Sequence, residues 1–447
     1  MKKTFLLSCL MLAAMPVMAA YTGHAYVDKN KHGEFDQSEK PLAGIKVSDG
    51  LNVVETAADG SFTLPGHERE RFIFITTPSG YKTFNRHYHK IEKKQSGYDF
   101  GLIPYSGRIR KDGSHRYIHI TDTEIFNTEN HADWVNNVHD YARNEQAAFI
   151  IHTGDLCYEK GLKAHIKLMN TENMDCPVFY CIGNHDLVKG KYGEELFESI
   201  YGPVYYSFDA GNVHYVVTPM PGGDHAPGYT SDDVCRWLKN DLAHIRPGTP
   251  VVVFNHDLLT YEDTFIFKSK NAGSINLNEY NLKAWVYGHW HINYMKKQGD
   301  VYSVCTSSLD KGGIDHSTTA FRVMHVDSKG DFTSELRYTY LDKNICIASP
   351  AGVMASGVLP VAVNVYSSVS PVREVLYTCL ADGKPVLKNK RLLQSTDWSW
   401  NGELPLSHKY VGKELTLRVT ARFNNGEIAE AESNFICRTE KAVPLFS

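Results

Sequence analysis

The spacing of hydrophobic and polar positions changes twice along this chain. From Tyr21 to about Pro104, short alternating runs are separated by Gly, Pro and Asp: Thr22-Gly-His-Ala-Tyr-Val27, Gly44-Ile-Lys-Val-Ser48, Asn52-Val-Val-Glu-Thr56 and Asp59-Gly-Ser-Phe-Thr-Leu64. Strand runs at this spacing predict a small β-sandwich, with Asp59-Gly60 as a tight turn. From about Arg116 the rhythm becomes strand, helix, strand: Tyr117 to Thr121, a helix near Ala132 to Asn144, Ala148 to His152, a helix near Lys163 to Met169, then Val178 to Ile182. Apolar strands between helical stretches predict an α/β core, whose ligands gather beyond the strand C-terminal ends. After about Lys343 strand-like runs return at Val358 to Val365, Glu374 to Leu380, Pro385 to Leu392 and Leu415 to Arg422, with a turn at Phe423-Asn-Asn-Gly426. A second β-sandwich is expected there. The expected division is therefore 1–20, 21–104, 105–342 and 343–447.

The first twenty residues are set apart as a leader. Lys2 and Lys3 precede an apolar run from Phe5 to Val17, and Ala19-Ala20 supplies small residues for cleavage. That is the pattern of a secretory signal peptide, and the run is short for a membrane span. An exported protein follows, periplasmic or on the cell surface of a bacterium, with no transmembrane segment. Leu6-Leu7-Ser8-Cys9 is a poor lipidation site, because the apolar stretch before Cys9 is too short and the run continues past it.

Composition narrows the partners. A chain of 447 residues with net charge −4 is too long for one ordinary domain and carries no charge excess that calls for nucleic acid or an anionic membrane. Of nine cysteines, Cys9 leaves with the leader and the rest show no C-x-x-C spacing, so neither a zinc ribbon nor a redox pair is indicated. Cys379 and Cys437 are the expected disulfide partners in the last domain. In the first domain, Asp28, Asn30, Gly33, Asp36 and Glu39 have the spacing of a calcium loop, broken at His32. The same residues also read as a solvated polar turn. This domain resembles the prealbumin-like modules found beside bacterial surface enzymes.

Polar clusters follow the strands of the middle segment in order: Asp122-Thr-Glu124, Gly154-Asp155, Gly183-Asn184-His185-Asp186, Asn255-His256 and Gly288-His289-Trp290-His291. Carboxylates, an amide and imidazoles without a thiolate are donors for a hard-to-borderline catalytic metal rather than a structural zinc. Two cations close together repel, and a shared carboxylate offsets that repulsion. Asp155 is the candidate bridge.

On these motifs the middle segment resembles the calcineurin-like metallophosphoesterase family, over roughly half of the chain. The resemblance implies a four-layer αββα core flanked by two small all-β sandwich domains. It implies two metal ions (Mn, Fe or Zn), with Asp122 and His291 on the first, Asn184, His256 and His289 on the second, and Asp155 on both. It implies hydrolysis of a phosphomonoester or phosphodiester by a hydroxide held between the metals. His185 matches the family's catalytic histidine, protonating the leaving oxygen, with Asp186 expected to orient its imidazole.

Two residues depart from the family pattern or add to it. Where the family's first motif is Asp-x-His, this chain has Glu124, whose carboxylate favours a harder metal. Tyr158, at Gly-Asp-x-x-Tyr spacing, and Val253-Phe-Asn-His256 resemble the purple acid phosphatase branch, where a tyrosinate binds the first metal. Either Glu124 or Tyr158 is expected to complete that shell, and a pocket-lining or core role for Tyr158 stays open. Tyr205-Tyr206, Pro219-Met-Pro-Gly-Gly223 and His225 read as substrate loops for a small organic phosphate. Thr306-Ser307-Ser308 reads either as pocket lining or as a plain strand-to-turn link. The rival reading of the whole chain is a catalytically degenerate binding protein acting on cell-surface glycans.

Overall fold

The computed structural model describes residues 20–439, apart from 85, 316, 341 and 342. The leader expected over 1–20 therefore lies, except for Ala20, outside the described residues. Among the described residues no helix is long and apolar enough to cross a membrane.

The middle of the chain is built on two sheets laid face to face. One runs, in spatial order, Val178–Tyr180, Phe149–His152, His115–Ile120, Ala320–Val326 and Phe332–Tyr338. The other runs Tyr206–Ala210, Val213–Val217, Val251–Phe254, Leu282–Tyr287, Val301–Cys305 and Tyr294–Gln298. Within each sheet the strands that lead into the polar clusters lie parallel to one another, and His115–Ile120 pairs antiparallel with Ala320–Val326 on its other side. Their continuous apolar runs follow from burial on both faces. In Phe149–His152, Phe149 and Ile151 face the opposite sheet while Ile150 faces the helices, the period-two alternation of a strand.

Aromatic rings fill the space between the sheets. Tyr117 stacks on Phe149 at 4.7 Å, Phe179 on Phe208 at 3.8 Å and Tyr215 on Phe254 at 5.6 Å. Each such ring buries about 150–250 Å², so the seam holds the two sheets in one register. Helices Ala132–Asn144 and Tyr158–Leu168 cover the first sheet through Trp134, Val138, Ala142 and Leu162, and helix Ser231–Ala243 packs on the second through Cys235, Trp237 and Leu238. The result is the four-layer αββα core. The second helix starts at Tyr158 rather than near Lys163. Gly161 lies inside it, where a Cβ would overlap the Leu156 carbonyl oxygen and stand 2.7 Å from that of Ile125. Close packing, not helix termination, requires the glycine.

The first sandwich shares a core with this domain. In the strand Phe72–Ile75, Phe72 and Phe74 join the cluster of the α/β core while Ile73 and Ile75 join that of the sandwich. Charge reinforces the contact. The Arg71 guanidinium donates to Glu194 and Glu198 at 2.8 Å each, and the Glu194 side chain is fully buried. Glu194 also accepts the Gly228 N–H at 2.8 Å, and Arg69 donates to the Gly228 carbonyl. Burial pushes the Glu198 carboxyl up to about 7, against the opposing pull of Arg71.

The second sandwich encloses Val361, Val363, Trp400, Leu417 and Phe435. Arg322 ties it to the core, donating to Asp397 at 2.7 Å and to the Cys305 carbonyl at 3.2 Å. The expected Cys379–Cys437 disulfide is absent, and both are buried free thiols. They lie on strands Val372–Ala381 and Ile428–Arg438, with Glu414–Phe423 paired between them. Two strand spacings are about 9.5 Å, beyond the Cα separation of about 7 Å that a disulfide tolerates.

Replacing Arg71 by Met should leave Glu194 as an unpaired buried charge and destabilise the chain by about 3–5 kcal/mol at neutral pH. Urea unfolding of the two proteins measures this, and a change below about 1 kcal/mol would show that the pair does not brace the contact.

Candidate metal centre

Each cluster predicted to carry chemistry follows a core strand, and the two sheets bring those strand ends to one place. The backbone there is strained. Asp122 (φ +49°), Glu124 (+46°), Asp155 (+56°), Tyr158 (+57°), His289 (+64°) and His291 (+49°) all adopt the left-handed region. Such residues cost about 1–3 kcal/mol each and persist only where their surroundings over-determine them. Hydrogen bonds between loops do so: Asp122 N–H donates to the Gly154 carbonyl at 3.0 Å and Glu124 N–H to that of Asp155 at 3.2 Å. Two glycines leave the room required, since a Cβ on Gly183 would overlap the Asp155 carboxylate and one on Gly288 would overlap Thr121 Oγ1.

Asp122 and Asp155 are buried to within 1% of full burial. Asp122 Oδ2 accepts from Thr121 Oγ1 at 2.6 Å and from the His289 N–H at 3.0 Å, while Oδ1 has no hydrogen-bond partner and lies 3.2 Å from His291 Nε2. Asp155 Oδ1 accepts the His185 N–H at 3.0 Å, and Oδ2 lies 3.1 Å from His256 Nε2. His256 Nδ1 meets the Thr153 carbonyl at 2.7 Å, an oxygen that only accepts, so Nδ1 carries the proton. In the neutral ring, Nε2 then presents its lone pair to two carboxylates, Asp155 and, at 3.8 Å, Asp122. His289 completes a group with Asp155 and His256 whose ligand atoms lie within 4.8 Å of one another.

Three buried atoms at this point lack a hydrogen-bond partner: Asp122 Oδ1, Asn184 Oδ1 and His256 Nε2. The two oxygens are Lewis bases, and His256 Nε2 becomes one when the ring is neutral. Unpaired buried acceptors beside carboxylates are a deficit of positive charge, which a divalent cation fits and an additional hydrogen-bond acceptor does not.

His185 stands at the rim with its side chain 34% exposed, its Nδ1 2.9 Å from Asp224 Oδ2. Burial alone would lower its pKa, but the Asp224 hydrogen bond and the Asp155 charge more than offset it and raise it above the usual value. Asp186 does not orient this ring, contrary to expectation. Its two oxygens accept the N–H groups of Asp155, Cys157 and Gly183 at 2.9 Å each, so it holds the strand-end loops together. Asp224 was missed because it lies far along the chain in a loop, where a lone aspartate carries no signal.

Glu124 Oε1 lies 3.4 Å from His291 Nε2, and Oε2 accepts from Lys311 Nζ at 2.6 Å, a cation the sequence did not single out. The Tyr158 ring is 44% exposed, centred 6.3 Å from Phe126 and 5.4 Å from His185. Cys157 also groups with Glu124 and Asp155, but burial and then the nearby carboxylates push its thiol up, so it stays protonated. Thr306, Ser307 and Ser308 are fully buried, bonded to His119, Asn293 and the Lys311 N–H, and form a strand-to-turn link. Tyr206 is also buried, and Tyr205 packs on Trp237 with its hydroxyl donating to the Gly50 carbonyl, so neither belongs to a substrate loop.

Two opposed sheets with carboxylate, amide and imidazole donors at their joined ends define a class of metal-dependent hydrolases. Residues 115–293 match the family model for calcineurin-like phosphoesterase, and residues 29–104 match the model for the N terminal of calcineurin-like phosphoesterase, together more than half of the chain. The chain belongs to the calcineurin-like phosphoesterase family, which uses a dinuclear metal centre. It is 26% identical over 215 residues to purple acid phosphatase 13 of Arabidopsis thaliana, a match that takes in 45% of this chain and 36% of that protein's length. Among solved structures, an archaeal phosphodiesterase is 13% identical, covering 50% of this chain and 99% of its own (TM-score 0.26). Vacuolar protein sorting 29 of Cryptosporidium parvum is 10% identical, covering 66% of this chain and 99% of its own (TM-score 0.27).

Metal uptake should be coupled to proton release. In the metal-free chain burial opposes a charge on His256, but Asp155 and Asp122 outweigh it and push its pKa up to about 10. The ring is therefore protonated at neutral pH and must lose that proton to bind a metal. Affinity should rise with pH until about 10 and level off above it. Calorimetry in buffers of different ionisation heat should show about one more proton released at pH 7 by the wild type than by His256→Ala.

Proposed function

We propose that this chain is an exported, metal-dependent phosphoesterase that hydrolyses a phosphomonoester or phosphodiester of a small organic molecule. The observation that carries the reading is the pairing of an electron-rich buried donor set with a rim imidazole, His185, whose Nδ1 is held by Asp224. Asp122, Asp155, Asn184, His256, His289 and His291 would hold the two metals, with Glu124 or Tyr158 completing the first shell. When bound, the cations would supply an acidified water and Lewis-acid stabilisation of the phosphoryl oxygens.

The chain's own groups then have separate roles. Asp155, which accepts the His185 N–H, sets the distance between the donor set and the rim. Asp224 keeps the His185 ring turned so that Nε2 faces outward and carries the proton for the leaving oxygen. The loop that carries Asp224 packs against the same place, since a Cβ on Gly223 would overlap the Asn184 carbonyl. A separate cavity of about 800 Å³ is bounded by Asn255, Asp257, Met220, Leu258, Phe267 and Trp285, and none of the proposed donors lines it.

Export is supported by the leader pattern of residues 1–20. Amino-terminal sequencing of protein secreted by the expressing cell should begin at or just after Ala20. An intact Met1 would reject export.

Metal-free protein reconstituted with manganese, iron or zinc should hydrolyse generic aryl phosphate mono- or diesters. Absence of turnover with every metal would favour the degenerate binding protein. His185→Ala should lower kcat by about 10²–10⁴ with metal content unchanged. Asp224→Ala should lower kcat less. Because Asp224 raises the His185 pKa, its loss should move the alkaline decline of activity to lower pH. An unmoved pH profile would remove Asp224 from the mechanism.

A further inference from the structure

The first sandwich carries an acidic feature that the metal centre does not use. Strands Tyr21–Val27 and Lys40–Pro41 pair antiparallel, with Tyr26 opposite Pro41 and Val27 opposite Lys40. The connection is therefore the segment from Asp28 to Glu39, and this register brings its first and last residues face to face at the mouth of the hairpin. Both are acidic and both are buried, Asp28 to 1% exposure and Glu39 to 6%. Among the described residues neither has a salt-bridge partner, although many other carboxylates do. Like charges opposite one another weaken a hairpin, and burying them without a counter-charge costs more.

Hydrogen bonds satisfy the pair only in part. Asp28 Oδ1 accepts the Lys31 N–H at 2.6 Å and Oδ2 the Gly33 N–H at 3.0 Å. Glu39 Oε2 accepts the Asp36 N–H at 3.2 Å, which turns that carboxylate toward the loop. Its other oxygen, Oε1, is buried without a partner, and so is the Tyr26 hydroxyl. Burial, and after it the charges of Asp28 and Glu39, push that phenol up. A buried, orphaned carboxylate oxygen beside a loop whose acids have no counter-charge again marks a deficit of positive charge. No lysine fills it, although Lys29, Lys31 and Lys40 are close in sequence.

We propose that residues 28–39 bind one calcium ion. The carboxylates of Asp28, Asp36 and Glu39, the amide of Asn30 and loop carbonyls are hard oxygen donors, and Gly33 at φ +74° makes the sharp turn such a loop needs. Calcium accepts several oxygens in irregular geometry, whereas magnesium demands a regular octahedron and sheds water reluctantly. His32 stands where helical calcium loops place another oxygen, so the affinity belongs in the weak, extracellular range. The ion would close the hairpin whose first strand also pairs with Phe100–Pro104, the last strand before the core.

Calorimetric titration of the full-length metal-free chain tests this, with His256→Ala as background to disable the other centre. One calcium ion should bind with Kd on the order of 10⁻⁴–10⁻³ M. Calcium, but not equimolar magnesium, should raise the unfolding temperature. Glu39→Gln should weaken binding by about tenfold or more, and Asn30→Ala, at an exposed position whose Oδ1 accepts the His32 N–H of the same loop, should also weaken it. No calcium heat in the His256→Ala background, or unchanged affinity in both loop variants, would overturn the proposal.

Discussion

The buried carboxylates of Asp122 and Asp155 set the terms for the rest of the molecule. Their free energy is acceptable only if positive charge reaches them, and the nearest side chains are imidazoles that can supply it by holding either a proton or a metal. Because the proton and the metal compete for the same Nε2, the strand-end loops must hold one geometry for both states. That explains why so many of these residues are fixed in left-handed backbone conformations, since a relaxed loop would let the carboxylates swing out to water. The aromatic seam serves the same end by keeping the edges of two separate sheets aligned, so that donors from both can meet.

The first sandwich takes part in the same arrangement. Arg71 stands at its edge, yet its partner Glu194 lies in the core and accepts the Gly228 N–H. Gly228 belongs to the loop that carries Asp224, which holds His185. A contiguous set of contacts therefore leads from the sandwich to the rim of the centre. Its physical content is positional, since each link fixes a backbone or a ring.

Much of the core was legible because burial on both faces forces continuous apolar strands, as in Phe149–His152. The donor residues were legible because polar clusters directly after such strands have no structural reason to recur. What could not be read depended on direction rather than identity. Asp186 adjoins His185 in sequence, yet adjacent residues in a short turn point apart, and its carboxylate serves backbone N–H groups while a loop residue thirty-nine positions away in sequence orients the imidazole. Cys379 and Cys437 share a sheet but not neighbouring strands, a distinction that composition does not carry. Gly161 marks close packing inside a helix whose expected start lies near Lys163.

The buried acids of this chain sort by how they are neutralised, and the sorting separates scaffold from site. Glu194 has Arg71 and a backbone N–H, and Asp186 has three backbone N–H groups. Glu194 is satisfied by the fold itself, whereas at Asp186 burial and the Asp155 charge outweigh the N–H groups and push the carboxyl up to about 7. Asp122 and Glu39 each keep a buried oxygen with no hydrogen-bond partner among the described residues. An unanswered acceptor persists at a cost of about 1–3 kcal/mol, so a fold that could close it with a nearby lysine or amide would gain stability by doing so. At the centre Lys311 is near enough to bond Glu124, yet Asp122 Oδ1 stays open, and in the hairpin the lysines of the loop leave Glu39 Oε1 open. Openness beside available cations is therefore a property of the arrangement and not a shortage of partners. The same physical signature, read first at the strand ends, is what singles out the hairpin of the first sandwich.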